Sequence, residues 1–270
     1  MIKDNVSEVS EGIYQIGPYF DNDIIPHTSY VLIDEKEVVL INPGSKCNEE
    51  KVFAQINQIA INKPITKIIV MNPSVSHSSG LPFLASKSKR LTIITEWRSK
   101  LVLESYGIDA KYILMSKNRF KLTLASGRVL QFIKTPFLPN PGSFLIVDKQ
   151  TKTLFSSDLY STYDGGDIDF SNVSQMDSVL QYHETFFPSS DFVKPINNII
   201  SKLDITSIVT NTGSVYRKDA IKKVILEIFK HEFYNSDFVV HNTSLINRTY
   251  DYINILNQFL LRLLNVFELD

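Results

Sequence analysis

The chain has almost no cysteine: Cys47 is the one thiol in 270 residues. A single thiol excludes an internal disulfide framework and fits a reduced compartment, with Cys47 expected as a small, semi-buried side chain. Net charge is nearly absent as well, at −1 with histidine neutral. No basic or acidic excess points to nucleic acid or to anionic lipid. Long apolar runs are missing too. No uncharged stretch approaches the ~18 residues of a membrane span, and the opening MIKDNVSEVSEG lacks the apolar centre of a signal peptide. The expected setting is cytoplasmic, with neither nucleic acid nor membrane as partner. In that setting the Asn-x-Ser/Thr triplets at Asn5, Asn172, Asn242 and Asn247 carry no meaning. What is present is an ordinary globular composition, 43% hydrophobic and 21% charged, enough for one large domain or two small ones.

Residues 28–44, TSYVLIDEKEVVLINPG, set two β-rich runs around the turn DEK, a hairpin signal. Over 48–61, Val52, Phe53, Ile56, Ile59 and Ala60 recur at helical spacing, with Asn48 as the candidate N-cap. A strand over 66–71, a polar loop, a short apolar helix from about Leu81, a strand over 91–95 and a helix over 97–106 come next, in βαβ order. From 119 to 158 the pattern turns to strands, with Asp148-Lys149-Gln150-Thr151 as a hairpin turn. Helices over 173–186 and 191–203, a strand over 206–210 and a helix near 217–232 complete it. Hairpins and βα units thus recur in both halves of one domain. They predict an α/β protein, an αββα sandwich of two mixed β-sheets flanked by helices.

The tail differs. Ile246, Thr249, Ile253, Leu256, Leu260, Leu263 and Phe267 are spaced 3, 4, 3, 4, 3, 4, a heptad seam. This C-terminal extended helix either folds back on its own domain or pairs in parallel with a second copy. The expected division is a domain over 1–240 and a helix over 241–270, which serves dimerisation or links to a further domain. The chain stops at FELD without a capping glycine or polar tail, as a truncated chain would.

The chemistry is expected at MNPSVSHSSG, residues 71–80, where the β-branched run IIV gives way to a polar loop. The loop holds one imidazole, an asparagine and four serines, but no carboxylate. Ser76, Ser78 or Ser79 with His77 and Asp158 would supply the residue types of a Ser/His/Asp hydrolase, although serine is common in any loop. Cys47 has no histidine beside it in sequence. His27, His231 and His241 are isolated, and a surface or satisfied-core role suffices for each.

Five loops, NPG (42–44), NPSVSHSSG (72–80), PFLPNPGSF (136–144), LFSSD (154–158) and IVTNTGS (208–214), together resemble the metallo-β-lactamase fold. Within it they look most like the flavodiiron or oxygen-binding diiron branch, and YHETFFPSSDFVKPINNIISKLDITSIVTNTGS (182–214) is especially similar. The resemblance covers roughly residues 7–235, and the tail beyond them is too short to hold a flavodoxin domain. Members of that branch carry a His-x-Glu-x-Asp-His loop, a later histidine, a bridging aspartate and a last histidine before a glycine. Carried over, the first histidine falls on Asn72, the glutamate on Ser74 and the loop aspartate on Ser76, while the second histidine is kept as His77. The next histidine falls on Pro139, the bridging aspartate is kept as Asp158, and the last histidine falls on Thr212. The aspartate often found before PG is Asn42. Two of seven ligand positions are kept.

A diiron site needs charged oxygens and several imidazoles to offset dehydration of two cations held about 3.5–4 Å apart. The resemblance therefore implies no catalytic residues, no bound metal and loss of the diiron cofactor, with His77 and Asp158 hydrogen-bonded to each other across the old pocket. His183 is expected to be structural and, with Tyr160, to lie at the pocket. Tyr160, Tyr163, Phe170 and DGGDIDF (164–170) form a glycine-containing loop that helps to cover the pocket in the family. The implied function is a metal-free N-terminal sensory or dimerisation domain of a bacterial signalling protein. It would form a homodimer through the C-terminal helix and precede a signalling output domain. The alternatives are an active metallohydrolase or an oxygen-binding or oxygen-reducing diiron protein with rearranged ligands, and a structural dimerisation domain without any ligand.

Overall fold

A computed structural model describes residues 6–234 apart from 20–24, 36, 62 and 89. The heptad tail, His241 and the expected boundary near residue 240 lie outside these residues. The described residues belong almost wholly to one compact unit, Met1–Phe233.

Among the described residues the strands form two seven-stranded sheets. The first runs in sequence order: β1 (Val6–Ser10), β2 (Ile13–Tyr19), β3 (His27–Ile33), β4 (Val38–Ile41), β5 (Ile65–Ile69), β6 (Thr92–Thr95) and β7 (Lys111–Leu114). Its first half is antiparallel, with β3 and β4 joined by the expected hairpin, and β4 to β7 pair in parallel. The second sheet contains β8 (Lys121–Thr123), β9 (Val129–Lys134), β10 (Phe144–Asp148), β11 (Thr153–Phe155), β12 (Gly166–Ile168), β13 (Ser207–Val209) and β14 (Ser214–Arg217). Its order is β12-β14-β13-β11-β10-β9-β8, mixed because β11 and β13 pair in parallel while β9, β10 and β11 are antiparallel. The β10–β11 turn closes as the sequence predicts. Asp148 accepts from the backbone N–H of Thr151 at 3.1 Å, and Arg128 donates to the same carboxylate from Nε and Nη2 at 3.0 and 2.6 Å.

Seven helices are described: α1 (Glu49–Ala60), α2 (Val75–Ser78), α3 (Leu81–Ser86), α4 (Trp97–Leu103), α5 (Val173–Phe186), α6 (Ser190–Ile200) and α7 (Asp219–Lys230). The side-chain alternation of the central strands explains why they flank the sheets. In β4, Val39 and Ile41 face the second sheet while Val38 and Leu40 pack under α1 and α3. In β10, Phe144 and Ile146 join the inter-sheet core while Leu145 and Val147 pack under α5, α6 and α7. A strand apolar on both faces must be covered on both faces. Each fully buried Ile or Leu contributes about 1.5–3 kcal/mol. The αββα sandwich expected from the sequence is therefore the observed architecture.

Three local expectations differ. Asn48 sits at the cap of α1, but its side chain makes no cap bond. Cys47 is exposed rather than semi-buried, because it lies on the outer side of a short 3-10 turn at Lys46–Asn48. The DGGDIDF loop adds the edge strand β12, and Phe170 is buried in the layer under α5–α7 instead of covering a pocket. No helix among the described residues is long and apolar enough to cross a membrane.

Candidate functional site

The loops that leave parallel strands of both sheets meet at one end of the sandwich. Asn42 follows β4 and Asn72 follows β5 in the first sheet; Asp158 follows β11 and Thr212 follows β13 in the second. The β9–β10 loop brings Pro139 and Asn140 to the same place. A cavity of about 440 Å³ opens there, and Asn72, Ser74, Ser76, His77, Pro139, Asp158 and Thr212 all line it. The resemblance thus places its seven positions together. Ile25, His27, Tyr182 and Phe186 complete the lining.

The bonding differs from expectation. His77 Nε2 stands 3.9 Å from Asp158 Oδ1, too far for a hydrogen bond. Asp158 is bound by other groups: Asn72 Nδ2 donates to Oδ2 at 2.7 Å, Ser157 Oγ to Oδ2 at 3.1 Å, and the Tyr182 hydroxyl to Oδ1 at 3.1 Å. Burial, then the negative charge of Asp158, push the Tyr182 phenol well above its ordinary pKa, so it remains a donor. Asn72 Oδ1 accepts from the Ser74 N–H at 3.0 Å and from Asn140 Nδ2 at 2.6 Å. Both ends of this buried amide are used, as a buried amide requires.

His77 lies on α2, the short helix formed inside the polar loop. Its Nδ1 is 2.5 Å from Ser74 Oγ and 3.2 Å from Ser76 Oγ. Burial is the main cause that holds its pKa below the ordinary histidine range; Asp158 opposes the shift and His27 adds to it. The His27 ring stands edge-on to His77 at 5.8 Å. Gly80, just after α2, lies so close to the NPG loop that a Cβ would meet the carbonyls of Pro43 and Ser45 at 3.1 Å. The two loops are also tied by Gly44 N–H to His77 O and Gly80 N–H to Gly44 O.

The remaining sequence candidates fall elsewhere. His183 is fully buried: Nδ1 lies 2.6 Å from the Val179 carbonyl and Nε2 accepts from the Tyr160 N–H at 3.1 Å. With both nitrogens engaged, burial lowers its pKa to about 4. Tyr160 is also fully buried, with its hydroxyl donated to Asn197 and its carbonyl accepting from Tyr216. Neither lines the cavity. Their work is to hold the backbone around Asp158, where Ser157 and Tyr160 on either side of it have φ of 56° and 66°, a left-handed conformation costly for such residues. Ser78 and Ser79 spend their hydroxyls on structure, Ser78 on the carbonyls of Pro73 and Ser74 and against the Tyr106 hydroxyl, and Ser79 on the Lys46 N–H beyond the NPG loop. With the Asp158–His77 link broken at 3.9 Å, the chain of bonds that a Ser/His/Asp triad requires is not formed.

A diiron centre does not fit this donor set. Among the described residues no group of three or more His, Cys, Asp or Glu side chains is placed to hold a metal ion. Among the described lining residues the charged oxygens come from Asp158 alone, and both already accept hydrogen bonds. Asn72, Asn140, Tyr182 and His27 were missed as partners in the sequence. Asn140 directly follows Pro139 and Tyr182 directly precedes His183, so both were adjacent to named positions.

Two mixed sheets face to face, helices outside, and a cavity at the ends of parallel strands define a metallo-β-lactamase fold. The chain belongs to the ODP family beta lactamases, whose sequence model matches residues 25–213. An uncharacterized protein of Methanocaldococcus jannaschii is 25% identical over 244 residues, 82% of this chain and 59% of that protein. The flavodiiron protein from Giardia intestinalis has a TM-score of 0.73 at 21% identity, covering 83% of this chain and 58% of that one. The chain therefore spans about three fifths of the length of these two relatives. A structure described as the peroxy diiron species of chemotaxis sensor ODP has a TM-score of 0.72 at 17% identity, covering 87% of this chain and 97% of that one. At these identities the likeness to solved structures speaks for the fold.

Proposed function

We propose that this chain is a catalytically degenerate, metal-free ODP-family module that serves as the sensory or dimerisation domain of a signalling protein. The observation that carries the reading is the state of Asp158. Its carboxylate is held by an amide, a serine and a phenol, where a metal centre would need further charged ligands. Family membership and the description of one similar protein as a chemotaxis sensor support a sensory role. The heptad spacing from Ile246 to Phe267 supports pairing of two copies and a downstream output. A ligand at the cavity would shift the geometry of the paired helices only through unequal affinity for two states.

The test is metal content by plasma mass spectrometry, on untagged protein grown in iron- and zinc-replete medium. The expected result is folded protein with iron and zinc well below one equivalent. Near-stoichiometric iron or zinc would overturn the reading and return the chain to the diiron or metallohydrolase class.

A further inference from the structure

Among the described lining residues the cavity carries one carboxylate, that of Asp158. Asp158 is 3% exposed, and its hydrogen-bond donors are all neutral. No lysine or arginine is among the described lining residues. His77 is 7% exposed, and its Nδ1 is already occupied by the serine hydroxyls of its own loop. A buried charge without a counter-charge is costly, and a ligand of opposite sign recovers that cost.

The geometry narrows the ligand. His77 Nδ1 is engaged by Ser74 Oγ, which leaves Nε2 facing the cavity 3.9 Å from Asp158 Oδ1. In the tautomer that carries its proton on Nδ1, shared with Ser74, Nε2 is a lone-pair acceptor. Two acceptors so spaced both lie within ~2.9 Å of one donor nitrogen set between them. Above this floor the wall is apolar and aromatic. The rings of Tyr182 and Phe186 lie 4.5 Å apart, with Ile25 and Pro139 alongside. Aromatic faces attract organic cations, whereas they add nothing for a carboxylate that Asp158 already repels. A neutral alcohol would leave the charge uncompensated.

We propose that the cavity binds a small primary amine as its ammonium ion, with nitrogen between Asp158 Oδ1 and His77 Nε2 and the organic part against Tyr182 and Phe186. This rests on the reading that the cavity is metal-free, and it adds the chemical class of the ligand sensed.

The test uses the full chain and three probes of matched shape: benzylammonium, benzyl alcohol and benzoate. Thermal unfolding and titration calorimetry are run on protein whose metal content has been measured. The expected result is concentration-dependent stabilisation by benzylammonium, with little from the other two. Asp158→Asn is expected to weaken benzylammonium at least ~10-fold, the loss of one charge-assisted contact. Because that variant removes a buried group and could fail to fold, Phe186→Ala at the cavity wall serves as the second. It keeps the charge and is expected to weaken the same probe several-fold. Equal response to all three probes, preference for benzoate, or no response at all overturns the amine while leaving the metal-free reading in place. Stoichiometric iron or zinc in the starting protein overturns both.

Discussion

Replacing Asn72 with aspartate probes the site with almost no change of shape. In the native protein Asn72 Nδ2 donates to Asp158 Oδ2 at 2.7 Å. In Asn72→Asp, two carboxylates face each other across that distance, and repulsion is ~4 kcal/mol even at 4 Å with an effective dielectric of 20. The folded protein avoids this by taking up one proton, which the unfolded chain does not need. Holding a carboxyl protonated costs about 1.4 kcal/mol for each pH unit above its ordinary value near 3.9, or about 4 kcal/mol at pH 7. The folded pKa of the pair is raised, so the native state binds the extra proton. Stability of the variant relative to native protein therefore falls as pH rises from near 4, and levels only above the raised value. Urea unfolding with EDTA present, at pH 4.5 and pH 8, measures this. The expected loss is below about 1 kcal/mol at the lower pH and about 4 kcal/mol or more at the higher. Asn72→Ala is the control: it deletes the bonds to Asp158, Ser74 and Asn140 and costs about 2–4 kcal/mol, with a smaller change in pH slope because no second carboxylate is introduced. An equal loss in Asn72→Asp at both pH values would refute the placement of Asn72 against Asp158.

His183 is buried neutral, with its pKa lowered from 6.5 to about 4 chiefly by burial. A depressed folded value adds stability that is complete above about 6.5 and lost as pH falls toward 4, about 3 kcal/mol in all. His183→Gln should remove this part of the acid slope in urea unfolding between pH 4 and 7, and an identical slope in both proteins would count against the assignment. Gly142 sits where an added Cβ would lie 2.2 Å from Ser99 Oγ and 2.7 Å from Ser99 N. Gly142→Ala should therefore shift the Pro139–Asn140 loop and cost about 1–3 kcal/mol, read as a lower Tm; an unchanged Tm would show that the loop moves freely.

The layers of the fold were legible because short apolar runs mark strands covered on both faces. Val38 to Ile41 read as one apolar run, and a run covered on both faces is a central strand. The loops were legible as a set, since five of them matched one family in order, and the structure brings their seven named positions to one cavity. Partner choice was not legible. Nothing in FLPNPG says that Asn140 rather than Pro139 reaches Asn72, because that depends on the path of the loop and on Ser99 Oγ donating to the Gly142 carbonyl at 3.0 Å. The His77–Asp158 bond failed for a related reason. Each side chain found a nearer neutral partner, and sequence order does not rank such partners. Gly166–Ile168 was read as loop because three residues are too few for alternation to register.

Asn42 donates to Asn211 Oδ1 at 2.7 Å and accepts from the Met71 N–H at 2.9 Å, while the Thr28 N–H donates to the Asn211 carbonyl at 2.8 Å. The two bonds to Asn211 join the halves of the sandwich using only groups the chain carries from synthesis. Closure of the seam is therefore complete once the polypeptide has folded. A domain whose halves are clasped by a cation matures only when that cation is supplied. The metal-free module proposed above would reach its working shape on the ribosome's own schedule, in iron-poor and iron-rich cells alike.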